Sequence, residues 1–185
     1  MNKHPKLLQK ENTVLLVIDI QEKLVPVIHE GERVIQNTIK LVNGFKILNS
    51  PIYYTEQYPK GLGETEKRIK EALGESKVYT KMSFSCSGAM GLFDELKQKN
   101  IKQVAVCGVE SHVCVLQTVL DLIANDFSVY IASDAVSSRR EFDYRAALNR
   151  MERHGAEITL TESILFEMLE VCGTDQFRAV SKLVK

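Results

Sequence analysis

Three residues with complementary chemistry follow separate apolar stretches of the sequence. Asp19 lies near the end of TVLLVIDI, Lys81 ends KVYTK, and Cys114 comes shortly after KQVAVCGV. A thiol can act as a nucleophile, an ammonium group can stabilise the thiolate, and a carboxylate can hold the lysine or accept the thiol proton. Together the three side chains could carry out acyl transfer.

The position of Cys114 at a change of pattern supports this chemistry. An apolar β-branched run passes into a helical pattern near His112, which predicts that Cys114 lies in the first turn of a helix. Unpaired backbone N–H groups and the helix dipole favour an anion there, so we expect a lowered thiol pKa. The same N–H groups could stabilise an oxyanion, an effect of roughly 3 kcal/mol per donor in other enzymes.

Each of these residues also has an ordinary structural explanation. Asp19 could cap a turn, Lys81 could reach solvent, and Cys114 could fill the core. Spacing alone leaves this alternative open. The remaining cysteines lack a comparable setting and are interpreted as structural: Cys86, Cys107 and Cys172. We expect His112 to project away from Cys114, because residues two apart on a helix do not face each other.

Alternating elements predict the fold that would bring the three residues together. Apolar runs rich in β-branched or aromatic residues predict strands at 13–20, 51–57, 77–81, 102–109, 127–136 and 156–160. Helical patterns lie between them, including 31–49, 88–100 and 141–155. This order predicts a doubly wound α/β sandwich of three layers with a mainly parallel sheet. Ligands bind such sheets at the carboxyl ends of the strands, where all three residues are expected.

Length and composition limit the number of domains and the kind of partner. The 185 residues are 44% hydrophobic, which suits one domain; we place it at 13–185, after an N-terminal extension at 1–12. Twenty-four basic residues balance twenty-four acidic ones, so no excess charge attracts nucleic acid or a membrane surface. The expected partner is a small molecule.

Several absences from the sequence indicate a cytoplasmic protein. No apolar run approaches the roughly 18 residues of a membrane span, and the start MNKHPKLLQKEN lacks the apolar segment of a secretory signal. The four cysteines show no CxxC spacing, so we expect free thiols in a reducing compartment.

Three motifs resemble a known family in order and spacing. LLVIDIQEKL, YTKMSFS and VCGVESHVCVLQT are similar to the signatures of the isochorismatase-like cysteine hydrolase superfamily, and the likeness spans nearly the whole chain. The resemblance implies a six-stranded, Rossmann-like sheet and a Cys-Asp-Lys triad that hydrolyses C–N bonds of small amides. Cys114 would be the nucleophile, Asp19 the general base, and Lys81 the residue that holds Asp19 and stabilises the thiolate.

The resemblance also implies an oxyanion hole and no metal or other cofactor. By analogy a cis peptide precedes Glu110, and the backbone N–H groups of Glu110 and Cys114 meet the oxyanion. Metal-binding members carry Asp-x-His after the second strand, where this chain has TEQYPKGLGET, and no histidine occurs between His29 and His112. The segment EQYPKGLG and the pair Ser111-His112 resemble the isochorismatase domain-containing subgroup. Family likeness also favours a homo-oligomer.

The substrate pocket is predicted from the residues around these motifs. EQYPKGLGE contains too many helix and strand breakers for a regular element, so we expect a ligand-binding loop that offers Glu56, Gln57 and Tyr58. Phe84 could supply an apolar wall, and Gln21 could orient a polar substrate group. The adopted candidate set is Gln21, Glu56, Tyr58 and Phe84.

Three functions are compatible with the sequence. The first is a metal-independent cysteine hydrolase acting on a small amide. The second is hydrolysis of an isochorismate-type vinyl ether with Asp19 as the acid, which should survive loss of the thiol. The third is a binding or oligomerisation scaffold of the same fold. The amphipathic segments 161–171 and 174–184 could pack either on the domain or against another subunit.

Overall fold

Six parallel strands form one sheet in the computed structural model, which describes residues 4–185. The spatial order is β3-β2-β1-β4-β5-β6. The strands are β1 (Thr13–Ile18), β2 (Ile52–Gln57), β3 (Lys77–Lys81), β4 (Gln103–Val109), β5 (Ser128–Ser137) and β6 (Glu157–Thr159). The strand order reverses between β1 and β4, as in a doubly wound sheet. The predicted α/β architecture is therefore confirmed.

Helices connect the strands and cover both faces of the sheet. They are α1 (Gly31–Ile47), α2 (Pro59–Leu62), α3 (Lys67–Leu73), α4 (Leu92–Gln98), α5 (Leu116–Ala124), α6 (Glu141–Arg153), α7 (Thr161–Leu169) and α8 (Asp175–Val184). Every residue of β1 is buried. Its side chains alternate between two cores, with Leu15 and Val17 in one and Val14, Leu16 and Ile18 in the other. The continuous apolar runs of the sequence arise from this burial on both faces.

The segment between β2 and β3 is more regular than its breakers predict. The expectation of an irregular EQYPKGLGE loop is wrong at Pro59–Leu62, which form α2. Proline is tolerated at the first position of a helix because the missing N–H would have no intrahelical partner there. Helix α3 then begins after Glu66, whose side chain accepts a hydrogen bond from the backbone N–H of Ile69.

Both ends of the described chain pack on the sheet and its helices. Leu8 is buried in the core, and the N–H of Gln9 donates a 2.8 Å hydrogen bond to Gln103 Oε1. Residues 1–3 of the predicted N-terminal extension lie outside the described residues. Helices α7 and α8 contribute Leu165 and Val180 to the same core as α1, so they pack on the domain. Between residues 4 and 185, no helix is long and apolar enough to span a membrane.

Candidate active site

Asp19 and Lys81 form a buried ion pair at the carboxyl edge of the sheet. Asp19 follows β1 in a left-handed conformation with φ of 51°, which aspartate adopts more readily than most residues. Lys81 ends β3, and its Nζ lies 2.6 Å from Asp19 Oδ2, with both side chains completely buried. The ammonium group also donates to the carbonyl oxygens of Ser83 (3.2 Å) and Phe84 (2.9 Å). These partners hold the lysine in place at the end of the sheet.

Cys114 reaches the same place from the other side of β1. It lies in a π-helical turn, Ser111–Val115, that connects β4 to α5. The predicted helical turn is therefore present but wound more widely than an α-helix. The thiol donates a 3.0 Å hydrogen bond to Gln57 Oε1, and the nearby Asp19 and Lys81 both act on its pKa. The structure thus brings the three residues that could perform acyl transfer into one buried cluster.

The environment of Cys114 raises the pKa of its thiol, so the expected lowering is wrong for this arrangement. Burial is the largest cause, because it disfavours the charged thiolate. The charge of Asp19 adds to the rise, and the charge of Lys81 opposes it without overcoming it. The sulfur therefore keeps its proton in the unliganded site, next to a carboxylate that could accept it.

The segment before Cys114 has the backbone form that the family resemblance implies. The peptide bond between Val109 and Glu110 is cis. The carbonyl oxygen of Glu110 accepts hydrogen bonds from the N–H groups of Val113 (3.0 Å) and Val115 (3.2 Å), which fixes the turn. The Glu110 side chain faces away from the thiol and pairs with Arg139 at 2.7 Å. Of the two predicted oxyanion donors, Cys114 N–H lies within this turn, and Glu110 N–H belongs to the residue directly before it.

Two of the predicted substrate-binding residues have structural roles instead. Gln21 is fully buried. Its Nε2 donates to the carbonyl oxygens of Gln57 (3.0 Å) and Gly63 (2.7 Å), and its Oε1 accepts from Gln57 N–H (2.8 Å). No amide hydrogen is left for a substrate. Glu56 accepts two 2.8 Å hydrogen bonds from Thr65, because strand alternation turns it to the face opposite Gln57.

Tyr58 and Phe84 lie at the outer rim of the site. Tyr58 is about half exposed and lines an open groove of about 680 Å³ together with Lys81, Met82 and Met90. Its backbone N–H donates to the carbonyl oxygen of Lys81 at 2.9 Å. Phe84 is also half exposed. Both side chains are therefore available to a ligand at the rim.

Gln57 and Thr55 are the site residues that the adopted prediction missed. Gln57 Oε1 lies 3.1 Å from Lys81 Nζ as well as 3.0 Å from the thiol. Thr55 Oγ1 donates a 2.7 Å hydrogen bond to Asp19 Oδ1. The two-residue period of β2 indicates both, because Thr55 and Gln57 lie on the same face of this strand. The sequence indicates Gln57 as a candidate within its loop, but the candidate set contains its neighbours Glu56 and Tyr58 instead.

The remaining histidine and cysteine interpretations fit their surroundings. His112 Nδ1 lies 2.9 Å from Ser138 Oγ, so the ring points away from the thiol as predicted. Burial raises the pKa of Cys86 to about 11 and that of Cys107 to about 12, which suits neutral packing residues. Cys172 is exposed. Among residues 4–185, no three His, Cys, Asp or Glu side chains are grouped as metal ligands would be.

Comparisons with known proteins agree with this fold. The isochorismatase domain model matches residues 13–163. The chain is 38% identical over 180 residues to the secreted isochorismatase effector Isc1 of Phytophthora sojae (strain P6497), covering 94% of this chain and 85% of the relative. It is 36% identical over 184 residues to isochorismatase domain-containing protein 2 of Danio rerio, covering 96% and 89%. The solved structure of MAR1 ribonuclease from Caenorhabditis elegans has a TM-score of 0.89 at 35% identity, covering 96% of this chain and 91% of that one.

Proposed function

The chain belongs to the isochorismatase family, and we propose that it is a metal-independent cysteine hydrolase that cleaves an amide-type C–N bond of a small molecule. The observation that carries the proposal is the buried ion pair of Asp19 with Lys81 next to the Cys114 thiol, which shares Gln57 Oε1 with the Lys81 ammonium group. This arrangement supports the proposal, because a nucleophilic thiol needs a proton acceptor held in a fixed position.

In the proposed reaction Cys114 gives its proton to Asp19 as the sulfur attacks the substrate carbonyl carbon. The protonated Asp19 then donates this proton to the leaving amine, the C–N bond breaks, and an acyl thioester remains on Cys114. Asp19 next removes a proton from water, which attacks the thioester. The carboxylic acid leaves, and the thiolate recovers its proton from Asp19.

Two further groups would assist these steps. Lys81 would hold the Asp19 carboxylate in place and offset the negative charge that develops on sulfur and oxygen. The backbone N–H groups of Glu110 and Cys114 would stabilise the tetrahedral oxyanion, at roughly 3 kcal/mol per donor. Tyr58 and Phe84 would contact the part of the substrate that lies toward the rim.

A screen of small primary amides for ammonia release tests the proposal. We expect Cys114→Ser to lower activity by about 10³-fold or more and Asp19→Asn to abolish proton transfer. Cys172→Ser changes an exposed cysteine away from the cluster and serves as the matched control. With a slow substrate, acid-quenched wild-type protein should carry an acyl mass on Cys114. Unchanged ammonia release by Cys114→Ser would contradict the mechanism.

The same variants separate the two alternative functions. Vinyl-ether hydrolysis with Asp19 as the acid would survive Cys114→Ala and be lost in Asp19→Asn. A scaffold would hydrolyse nothing and would keep its partners after Cys114→Ala. RNA belongs in the screen because the Caenorhabditis elegans relative is called a ribonuclease, although the balanced charge of this chain gives no general attraction for RNA.

We also propose a homo-oligomer in the cytoplasm, as the family resemblance and the composition suggest. Light scattering should then give a mass above the 20.9 kDa of one chain; a mass of one chain would contradict self-association. The four cysteines are all unpaired, which suits a reducing compartment.

A further inference from the structure

Gln57 connects the two halves of the candidate triad through one oxygen atom. Its Oε1 lies 3.0 Å from Cys114 Sγ and 3.1 Å from Lys81 Nζ, and the residue is 8% exposed. Its backbone N–H and carbonyl groups are both bonded to the side chain of Gln21. Gln57 is thus held at its backbone by Gln21 and at its side chain by Lys81.

Lys81 determines which way the Gln57 amide faces. An ammonium group can only donate hydrogen bonds, so the Gln57 atom beside it must be the carbonyl oxygen. The amide nitrogen then faces the carbonyl oxygen of Met82 at 3.4 Å. Turning the amide over would set its NH₂ group against the ammonium and its oxygen against a carbonyl. Cys114 therefore meets an acceptor, and its thiol must be the donor of their hydrogen bond.

We propose that Gln57 is a positioning residue that holds the Cys114 thiol in its protonated form until a substrate arrives. A thiolate at the same place would face the negative end of the amide dipole. Attack then requires the thiol proton to turn from Gln57 Oε1 to Asp19, which leaves one lone pair of that oxygen vacant beside the sulfur. The catalytic role of this hydrogen bond rests on the proposed function, in which Cys114 is the nucleophile.

Several other charged and titratable groups surround the thiol. Asp19 reaches it from the end of β1, Lys81 from the end of β3, and Cys86 from the turn Cys86–Gly88. On the side of α6, Asp143 and His112 line the same small pocket. A substitution of Gln57 replaces none of these groups, and the one it contacts directly is Lys81.

Two substitutions of nearly equal size act on the thiol in opposite directions. Gln57→Met removes the acceptor dipole, so the thiolate becomes easier to form. Gln57→Glu keeps an oxygen at the same place and adds a negative charge, so the thiolate becomes harder to form. A purely structural role of Gln57 would move both variants the same way. Gln103→Met is the matched control, because Gln103 is also a buried, hydrogen-bonded strand glutamine.

The readout is the rate of iodoacetamide labelling of Cys114, followed by mass spectrometry from pH 6 to 10. At pH 7 we expect Gln57→Met to label about tenfold faster than wild type and Gln57→Glu about tenfold slower, since one pKa unit changes the thiolate fraction tenfold. Gln103→Met should match wild type.

Labelling of the buried Cys107 in the same spectra reports loosening of the fold, in which case Gln57→Leu replaces Gln57→Met. Shifts of both variants in the same direction, or no shift in either, would overturn the inference. The labelling measurement uses no substrate, so its result does not depend on whether the protein hydrolyses amides.

Discussion

The hydroxyl of Thr55 donates a 2.7 Å hydrogen bond to Oδ1 of Asp19, while Lys81 occupies the other carboxylate oxygen. Thr55 and Asp19 are both buried, so water cannot replace a lost donor. We expect Thr55→Val to lower the free energy of unfolding by about 1.5–3 kcal/mol, as for hydrogen bonds to charged groups. Urea denaturation at pH 7 measures the change.

Thr38→Val is the control for this substitution. Thr38 is equally buried, but its hydroxyl has no nitrogen or oxygen partner among residues 4–185. Its replacement should therefore cost little or stabilise the protein. Equal losses in the two variants would show that the bond to Asp19 contributes nothing specific.

The raised pKa of the Cys114 thiol predicts an order of labelling in the native protein. With iodoacetamide at pH 7, the exposed Cys172 should react before Cys114, and the rate of Cys114 should keep rising with pH beyond 9.0, the ordinary pKa of a thiol, because its own pKa is raised above that value. Asp19→Asn removes a negative charge beside the thiol, so we expect labelling of Cys114 to become at least about tenfold faster. Peptide mass spectrometry gives both rates. Rapid labelling of Cys114 in the wild type would restore the expectation of a thiolate in the resting protein.

Most of the fold could be predicted from the sequence because its strands appear as continuous apolar runs. Strands buried on both faces have no alternation to misread, and the predicted strand ends agree with β1 to within two residues. Helix α2 was not predicted because it contains Pro59 and Gly61, whose usual effect is to break helices. Helix α3 is only seven residues long, which is too short for a clear helical period.

The sequence predicts the candidate site where polar residues follow the ends of strands. It predicts less well the face on which a side chain lies and the direction of a pKa shift. Asp19, Lys81 and Cys114 follow from the topology and the family motifs. The breaker-rich segment indicates a loop but not which face of β2 each side chain takes, so it does not separate Glu56 from Gln57. The direction of the thiol pKa shift depends on burial against charge, a balance that residue type and spacing do not contain.

Glu95 provides a test of electrostatic stability away from the candidate site. Hydrogen bonds from Lys77, Tyr79 and Tyr53 hold the pKa of its carboxyl far below the ordinary 4.5. A pKa that is lower in the folded state stabilises the protein above pH 4.5, and this stabilisation is lost as the pH falls toward the folded value. We expect Glu95→Gln to cost roughly 1–3 kcal/mol at pH 7 and clearly less at pH 3. Denaturant titrations at both pH values measure this, with the exposed Glu71→Gln as control. A cost independent of pH would argue against the pKa shift.

Gly108 permits the close approach of β4 to β1, on which the spacing of the candidate site depends. Its φ is +129°, and a Cβ built there would lie 2.1 Å from the carbonyl oxygen of Ile18, its partner in the sheet. Ile18 directly precedes Asp19 and is backbone-bonded within the sheet, so it cannot move aside as a flexible side chain would. Gly108→Ala should therefore lower the free energy of unfolding by roughly 3 kcal/mol or more.

Gly155 also has a positive φ, +100°, but a Cβ added there would meet nothing within 4 Å. Gly155→Ala should therefore show the backbone cost alone, about 1–2 kcal/mol. The difference between the two variants in urea denaturation isolates the contact between the strands. If Gly108→Ala cost no more than Gly155→Ala, β1 and β4 would have to separate easily, and the fixed distance between Asp19 and Cys114 that the proposed mechanism needs would lose its support.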